Sequence, residues 1–426
     1  MGGHVFEAGA AGLDVPRMSP SIYFALKSYF LTVLKKHYGQ VVVPAEAPEK
    51  LSYGDIDFLA TEPEKSDTQT TVLAIHQSLN AVRHQHHPSD PLVSFAVPYA
   101  AIDIRDLNGS EMSTKQRSEI QEAMAAFIAT SSHVQIDILH CPTRNNLSYT
   151  LLMMSYGDLC SIMGISLRPA GLTFVPNGLA ANLDKLDKVR GKPQRLLFSS
   201  SVPDILDFLG LDKDIWRHGF MQERDVFNWV TAGRFFVRFD SQTGKDRVKV
   251  KNRQMFRRFV EEFLPANPHL GRRWVAREKV LQEAVTRFKK HKELDVIMAD
   301  ATVVRKEIQF WEKVKHLILL EAGNQKETSR AIRALRRWVV MKGSEGQARP
   351  IIRSEVELKD DNQPKWTVDS TLTEEELLDW VREHWHVLMS QERLREKEME
   401  ALRETVKLTT KGIGKNANEE DTGPRA

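Results

Sequence analysis

Cysteine is scarce in this chain: among 426 residues there are only Cys141 and Cys160. Two thiols at that spacing make neither a disulfide framework nor a four-ligand zinc site, and a reducing compartment is the simpler expectation. Long apolar runs are missing too, and none approaches the roughly 20 residues that a membrane-spanning helix requires. The opening residues, Met1-Gly2-Gly3-His4-Val5-Phe6-Glu7, have neither the basic n-region nor the apolar h-region of a secretory signal. The expected location is therefore intracellular, cytoplasmic or nuclear, with no membrane partner. No Walker loop and no Gly-x-Gly-x-x-Gly follows a strand-like run, which removes the P-loop and dinucleotide-binding readings. Ser52 and Ser94 lack a nucleophile setting, and no internal repeat is visible.

What the chain does have is a pair of acids inside an apolar run, Tyr53-Gly54-Asp55-Ile56-Asp57-Phe58-Leu59-Ala60. Side chains two apart on a strand leave the same face, so Asp55 and Asp57 converge on one spot. Like charges held that close repel unless a cation lies between them. Asp137, in His133-Val134-Gln135-Ile136-Asp137-Ile138-Leu139-His140, is a third acid in a strand-like apolar run. A buried acid is costly unless it is paired or coordinates something. Three carboxylates on two strands can hold two magnesium ions, the arrangement used for in-line phosphoryl or nucleotidyl transfer.

These residues resemble the catalytic core of the DNA polymerase beta nucleotidyltransferase superfamily, which carries a Gly-Asp-x-Asp strand and a later strand with the third aspartate. Leu167-Arg168-Pro169-Ala170-Gly171-Leu172-Thr173-Phe174, ending in Gly178-Leu179, resembles the segment that follows the third aspartate in that superfamily. The resemblance covers roughly residues 20–180. It implies Asp55, Asp57 and Asp137 as catalytic metal ligands, Mg2+ or Mn2+ as cofactor, a nucleoside triphosphate as donor, and Gly54 as the turn into the strand. One part of the pattern is absent: no Gly-Ser pair precedes the Asp-x-Asp strand to hold the triphosphate. Lys50 and Ser52 are the candidate substitutes as phosphate contacts, with Arg168 as a guanidinium suited to bidentate phosphate binding. The alternative reading, which the missing pair favours, is a non-catalytic nucleic-acid or partner-binding protein on a degenerate nucleotidyltransferase fold.

The expected fold class is α+β, a mixed sheet flanked by helices and followed by a basic helical extension. The expected divisions are a disordered 1–18, a catalytic domain over 19–180, a second subdomain over 181–265, a basic helical extension over 266–345, and a polar to acidic region over 346–426 with a disordered tail. Ser19 and Pro20 open a helix that Gly39 closes, Val41–Val43 and Asp55–Leu59 read as strands, and Val72–Val82 reads as a helix. Glu119–Thr130 and Tyr149–Met163 are further expected helices, the second with a Met stripe suited to a core. Asp103 and Asp106 are spaced wrongly to share a strand face and read as strand-end and turn residues. His76, His84, His86 and His87 have the residue types of metal ligands, but the last three sit in an expected polar loop ending at Pro88 and read as solvated. Beyond Pro265, helices are expected at 275–298, 303–322, 328–341 and Thr373–Leu402.

Net charge is only +3, yet residues 271–340 hold 17 Lys or Arg against 9 Asp or Glu. That surplus is compatible with a polyanionic partner such as RNA or DNA. The acceptor stays open among a nucleic-acid 3′ end, a protein and a small molecule, and the oligomeric state is not readable.

Overall fold

The computed structural model describes residues 5–7, 12–65, 67–87, 89–103, 114–183, 194–238, 244–271, 276–343, 348–353 and 366–416. They form a mixed α+β structure in two compact units, one comprising 1–183 with 195–291 and the other comprising 184–194 with 292–426.

The first unit is built on a five-stranded sheet of β1 (Tyr38–Val42), β2 (Asp55–Pro63), β3 (Arg83–His86), β4 (Leu92–Pro98) and β5 (His133–His140). Their spatial order is β1-β2-β5-β4-β3. The central pair β2 and β5 runs parallel, and every other pairing is antiparallel. A parallel pair needs a long crossover and tends to be covered on both faces. Both central strands carry apolar residues on each side, broken on one face by Asp55, Asp57, Gln135 and Asp137. On one face Ile56, Phe58, Phe95, Ile136 and Ile138 pack in a single core with three helices, α1 (Pro20–Leu34), α2 (Thr68–Ser78) and α3 (Thr114–Ala129). On the other face Leu59, Leu139 and Cys141 meet Leu147 and Leu151 of α4 (Arg144–Met154).

The rest of this unit holds α5 (Leu159–Leu167), a three-stranded antiparallel sheet of β6 (Leu172–Val175), β7 (Gly178–Asn182) and β8 (Arg195–Ser199), then α6 (Val202–Leu209), α7 (Lys213–His218) and α8 (Glu223–Ala232). It closes with α9 (Gly244–Asn252), α10 (Gln254–Arg258), a π-helical turn Phe259–Phe263, α11 (Leu264–Ala266) and α12 (Arg277–Arg287). The second unit contains α13 (His291–Ala322), α14 (Gln325–Trp338), the hairpin β9 (Val339–Lys342) with β10 (Arg349–Ile352), α15 (Trp366–Asp369) and α16 (Glu374–Asn416). Its core gathers Phe310, Val314, Leu335, Trp366, Trp385 and Leu388.

Several local expectations change. The described part of 1–18 is packed: Phe6 and Val15 are buried with Ala96, and Met18 bridges Tyr53. Gly39 does not close α1. It lies inside β1, where a Cβ would come within 2.9 Å of Glu62 Oε2. The single helix expected over Tyr149–Met163 is two, broken at Ser155–Asp158 where Tyr156 and Gly157 adopt φ of 60° and 63°. The break turns the axis by 91°, and no single described helix is long and apolar enough to cross a membrane. His84 and His86 lie on β3 rather than in a loop. The helices expected at 275–298 and 303–322 divide instead at Phe288–Lys290, and α16 reaches Asn416, beyond the expected Leu402. The boundary drawn at 265 falls inside the first unit, because α12 buries Val280, Ala284 and Val285 and Arg277 donates to the carbonyls of Arg168 and Pro169. Asp106 lies outside the described residues.

Candidate metal centre

Parallel pairing of β2 with β5 sets Asp57 directly beside Asp137 and Asp55 beside Gln135. Because residues two apart share a face, Asp55, Asp57 and Asp137 point to the same side of the sheet. One carboxylate oxygen from each of the three lies within 4.8 Å of the others. The same face continues at Leu59 and Leu139, which α4 covers. That cover stops short of the acids: Asp55 and Asp57 are half-buried, and Asp137 is 8% exposed.

Burial, reinforced by Asp55, Asp137 and Glu46, pushes Asp57 up from 3.8 to about 7, with Lys50 pulling the other way. Burial also lifts Asp137 to about 6. Hydrogen bonds from Ser94 and Gln135 oppose this rise, while Asp55 adds to it. Both shifts come first from burial and then from the neighbouring carboxylates, each of which disfavours the charged form.

Gln135 donates from Nε2 to both Asp137 carboxylate oxygens at 3.0 Å, and its Oε1 accepts from Val5 N at 3.2 Å. The N-terminal segment thereby fixes the amide that aims Asp137. Ser94 faces Asp137 across the antiparallel β4–β5 pair. On the β2 side, Glu46 adds a fourth carboxylate. Its Oε1 accepts from Tyr23 at 2.5 Å, and Lys50 Nζ donates to its Oε2 at 2.5 Å. Lys50 also lies 4.6 Å from the centroid of the Tyr53 ring, and that ring stacks on Tyr23 at 3.8 Å.

The sequence-predicted residues therefore divide. Asp55, Asp57 and Asp137 are brought together. Lys50 lies close enough to act on the charge of Asp57, but its ammonium is paired with Glu46. Ser52 accepts from Arg17, through Oγ at 3.0 Å and through its carbonyl oxygen at 2.8 Å. Gly54 is buried at the bend ahead of β2. Arg168 is exposed in a single 3-10 turn, Arg168–Ala170, that follows α5. Sequence reasoning missed Gln135, Ser94, Glu46 and Tyr23. Period-two spacing before Asp137 was a usable signal for Gln135, and the four-residue spacing to Lys50 was one for Glu46. Ser94 depends on strand register, which nothing local to it reveals.

No protein-family model matches the chain, and no curated protein matches it significantly.

The donor set itself selects among ions. Three carboxylates offer only hard oxygen ligands, which suit Mg2+, Mn2+ or Ca2+ and are poorly matched to a thiophilic ion. The three carboxylates are thus a group that could hold a metal ion.

Proposed function

We propose that the chain is a metal-dependent nucleotidyltransferase, which moves a nucleoside monophosphate from a nucleoside triphosphate to a hydroxyl acceptor and releases pyrophosphate. The observation that carries this reading is the Asp55–Asp57–Asp137 cluster on one face of the parallel β2–β5 pair. Bound Mg2+ or Mn2+ would neutralise phosphate charge, lower the pKa of the attacking hydroxyl and stabilise the departing pyrophosphate. Asp55 and Asp57 are assigned to both ions and Asp137 to the ion on the acceptor side. Gln135 and Ser94 keep Asp137 oriented and favour its ionised, ligating form. In the transfer the acceptor oxygen bonds to the α-phosphorus, the bond to the bridging oxygen breaks, and the hydroxyl proton leaves to solvent.

The phosphate-binding side is where this chain departs from the family it resembles. Lys50 and Ser52 already have partners in Glu46 and Arg17, so a triphosphate must draw Lys50 away from Glu46 to use it. That pairing favours a second reading, a nucleotidyltransferase-like protein that binds a partner without turnover. RNA or DNA as acceptor rests on the basic surplus of 271–340, and part of that charge is already used: Arg330, Arg333 and Arg337 pair with Glu327, Glu396 and Glu392.

Incubation with each α-labelled nucleoside triphosphate, Mg2+ or Mn2+, and a pool of RNA, DNA, protein and small hydroxyl compounds tests the proposal. Metal-dependent transfer of label by the wild type, lost in Asp57→Ala and Asp137→Ala variants that melt normally, is the expected result. Equal transfer by either variant would sink the assignment. No transfer together with no metal-linked nucleotide binding would favour the second reading.

A further inference from the structure

A different ligand chemistry is gathered on the opposite face of the same sheet. His84 on the edge strand β3 and His76 in the last turn of α2 face each other with their Nδ1 atoms 3.3 Å apart. Their rings stand at 72° with centroids 5.0 Å apart. Phe95, the cross-strand partner of His84, supports both rings, with centroid distances of 6.5 and 6.0 Å. His86, two residues along β3, leaves the strand on the same face, and its charge acts on His84.

Strand register separates this cluster from the carboxylates. His84 pairs with Phe95, and Phe95 with Ile136, whereas Asp137 pairs with Ser94. Neighbouring positions along a strand point to opposite faces, so the histidines and the aspartates cannot share an ion. The spacing of the imidazoles is also informative. An N–H···N bond between neutral rings prefers about 2.9–3.0 Å, and 3.3 Å is long for it. Two nitrogens each about 2.0–2.1 Å from one zinc ion at a tetrahedral angle lie roughly 3.3–3.4 Å apart. All three histidines are half-buried, which leaves a route for an ion from solvent.

We propose that His76 and His84 form a binding site for a late divalent transition metal of the zinc, nickel and copper class, with His86 as third ligand and water completing the shell. Imidazole suits these ions, while the all-oxygen triad suits magnesium or manganese, so the two sites sort metals by donor type. Among the described residues only the triad already brings three ligand atoms within 4.8 Å, so His86 would have to turn its side chain to close the site.

The test adds one equivalent of Cu2+ to the full chain in excess Mg2+, with electron paramagnetic resonance as readout, and measures Zn2+ affinity by calorimetry. Nitrogen superhyperfine structure from imidazole is expected, together with a loss of affinity of roughly tenfold or more in His76→Gln and in His84→Gln. Melting in EDTA should match the wild type in both variants, which separates lost ligation from lost folding. Retention of the copper signal in Asp57→Asn is expected, and this keeps the outcome independent of the nucleotidyltransferase reading. A spectrum without nitrogen coupling, or unchanged affinity in both histidine variants, overturns the site. Unchanged affinity in His86→Gln overturns its place as third ligand.

Discussion

Asp57 concentrates the physical argument, because it sits beside two other carboxylates and near a fourth, with only Lys50 to offset them. An acid whose folded pKa lies above its unfolded value holds more protons folded than unfolded. Its ionisation therefore withdraws stability as pH climbs from about 4 through about 7. Metal-free Asp57→Asn should consequently melt higher than wild type at pH 8, by on the order of 2 kcal/mol, and equally near pH 4. Thermal melts in EDTA across that range check this, and a lower melting point for the variant at pH 8 contradicts it. Magnesium should reverse the order at neutral pH by stabilising only the wild type. Gln135 acts in the opposite sense, since its two hydrogen bonds favour ionised Asp137. Gln135→Leu should move the pH midpoint of Mn2+ binding upward by roughly one unit. An unchanged midpoint in a pH series of calorimetric titrations would show that Gln135 only packs.

At the scale of elements, the sharp turn between α4 and α5 depends on Gly157, whose φ of 63° disfavours any side chain and whose Cβ position lies 2.8 Å from the Ala47 Cβ. Gly157→Ala should destabilise by roughly 2–3 kcal/mol, whereas Gly164→Ala, with nothing within 4 Å, should be neutral or slightly stabilising. Urea midpoints for the two variants provide the comparison, and equal midpoints contradict it. The same turn illustrates what the sequence could and could not reveal. The Met stripe of 149–163 has helical spacing throughout, so periodicity alone reads one helix. The break comes from left-handed Tyr156 and Gly157, with Tyr156 N donating to the distant Ala45 carbonyl at 2.6 Å. The aspartates were legible because an acid in an apolar strand is conspicuous and because i and i+2 share a face. The link between β2 and β5 followed only from their resemblance to known strands, since pairing partners are not encoded locally. Gly39 was misleading because a glycine after an apolar helix looks like a C-cap, yet it serves a close strand approach.

For the molecule as a whole, the second unit has its own core and its own buried charge. Glu392 is fully buried, accepting from Arg337, Arg395 and Trp338. Deleting one partner from such a group leaves the others uncompensated, so Glu392→Ala should destabilise by roughly 3 kcal/mol. Calorimetric melts should show that loss while Mn2+ affinity at the triad stays at the wild-type value, and a matching fall in Mn2+ affinity would contradict the separation of roles. The charge asymmetry first read as a polyanion site is in part this internal network of arginines and glutamates, which composition cannot distinguish from a free basic face. The account as a whole stands on the triad as a metal centre that carries nucleotide. Its most direct test is calorimetric titration of Mn2+ into wild type and Asp57→Asn, with and without a non-hydrolysable nucleoside triphosphate. The account predicts Mn2+ binding to the wild type that strengthens with nucleotide and is lost in the variant. Nucleotide binding that ignores Mn2+, or equal Mn2+ affinity in both proteins, would contradict it.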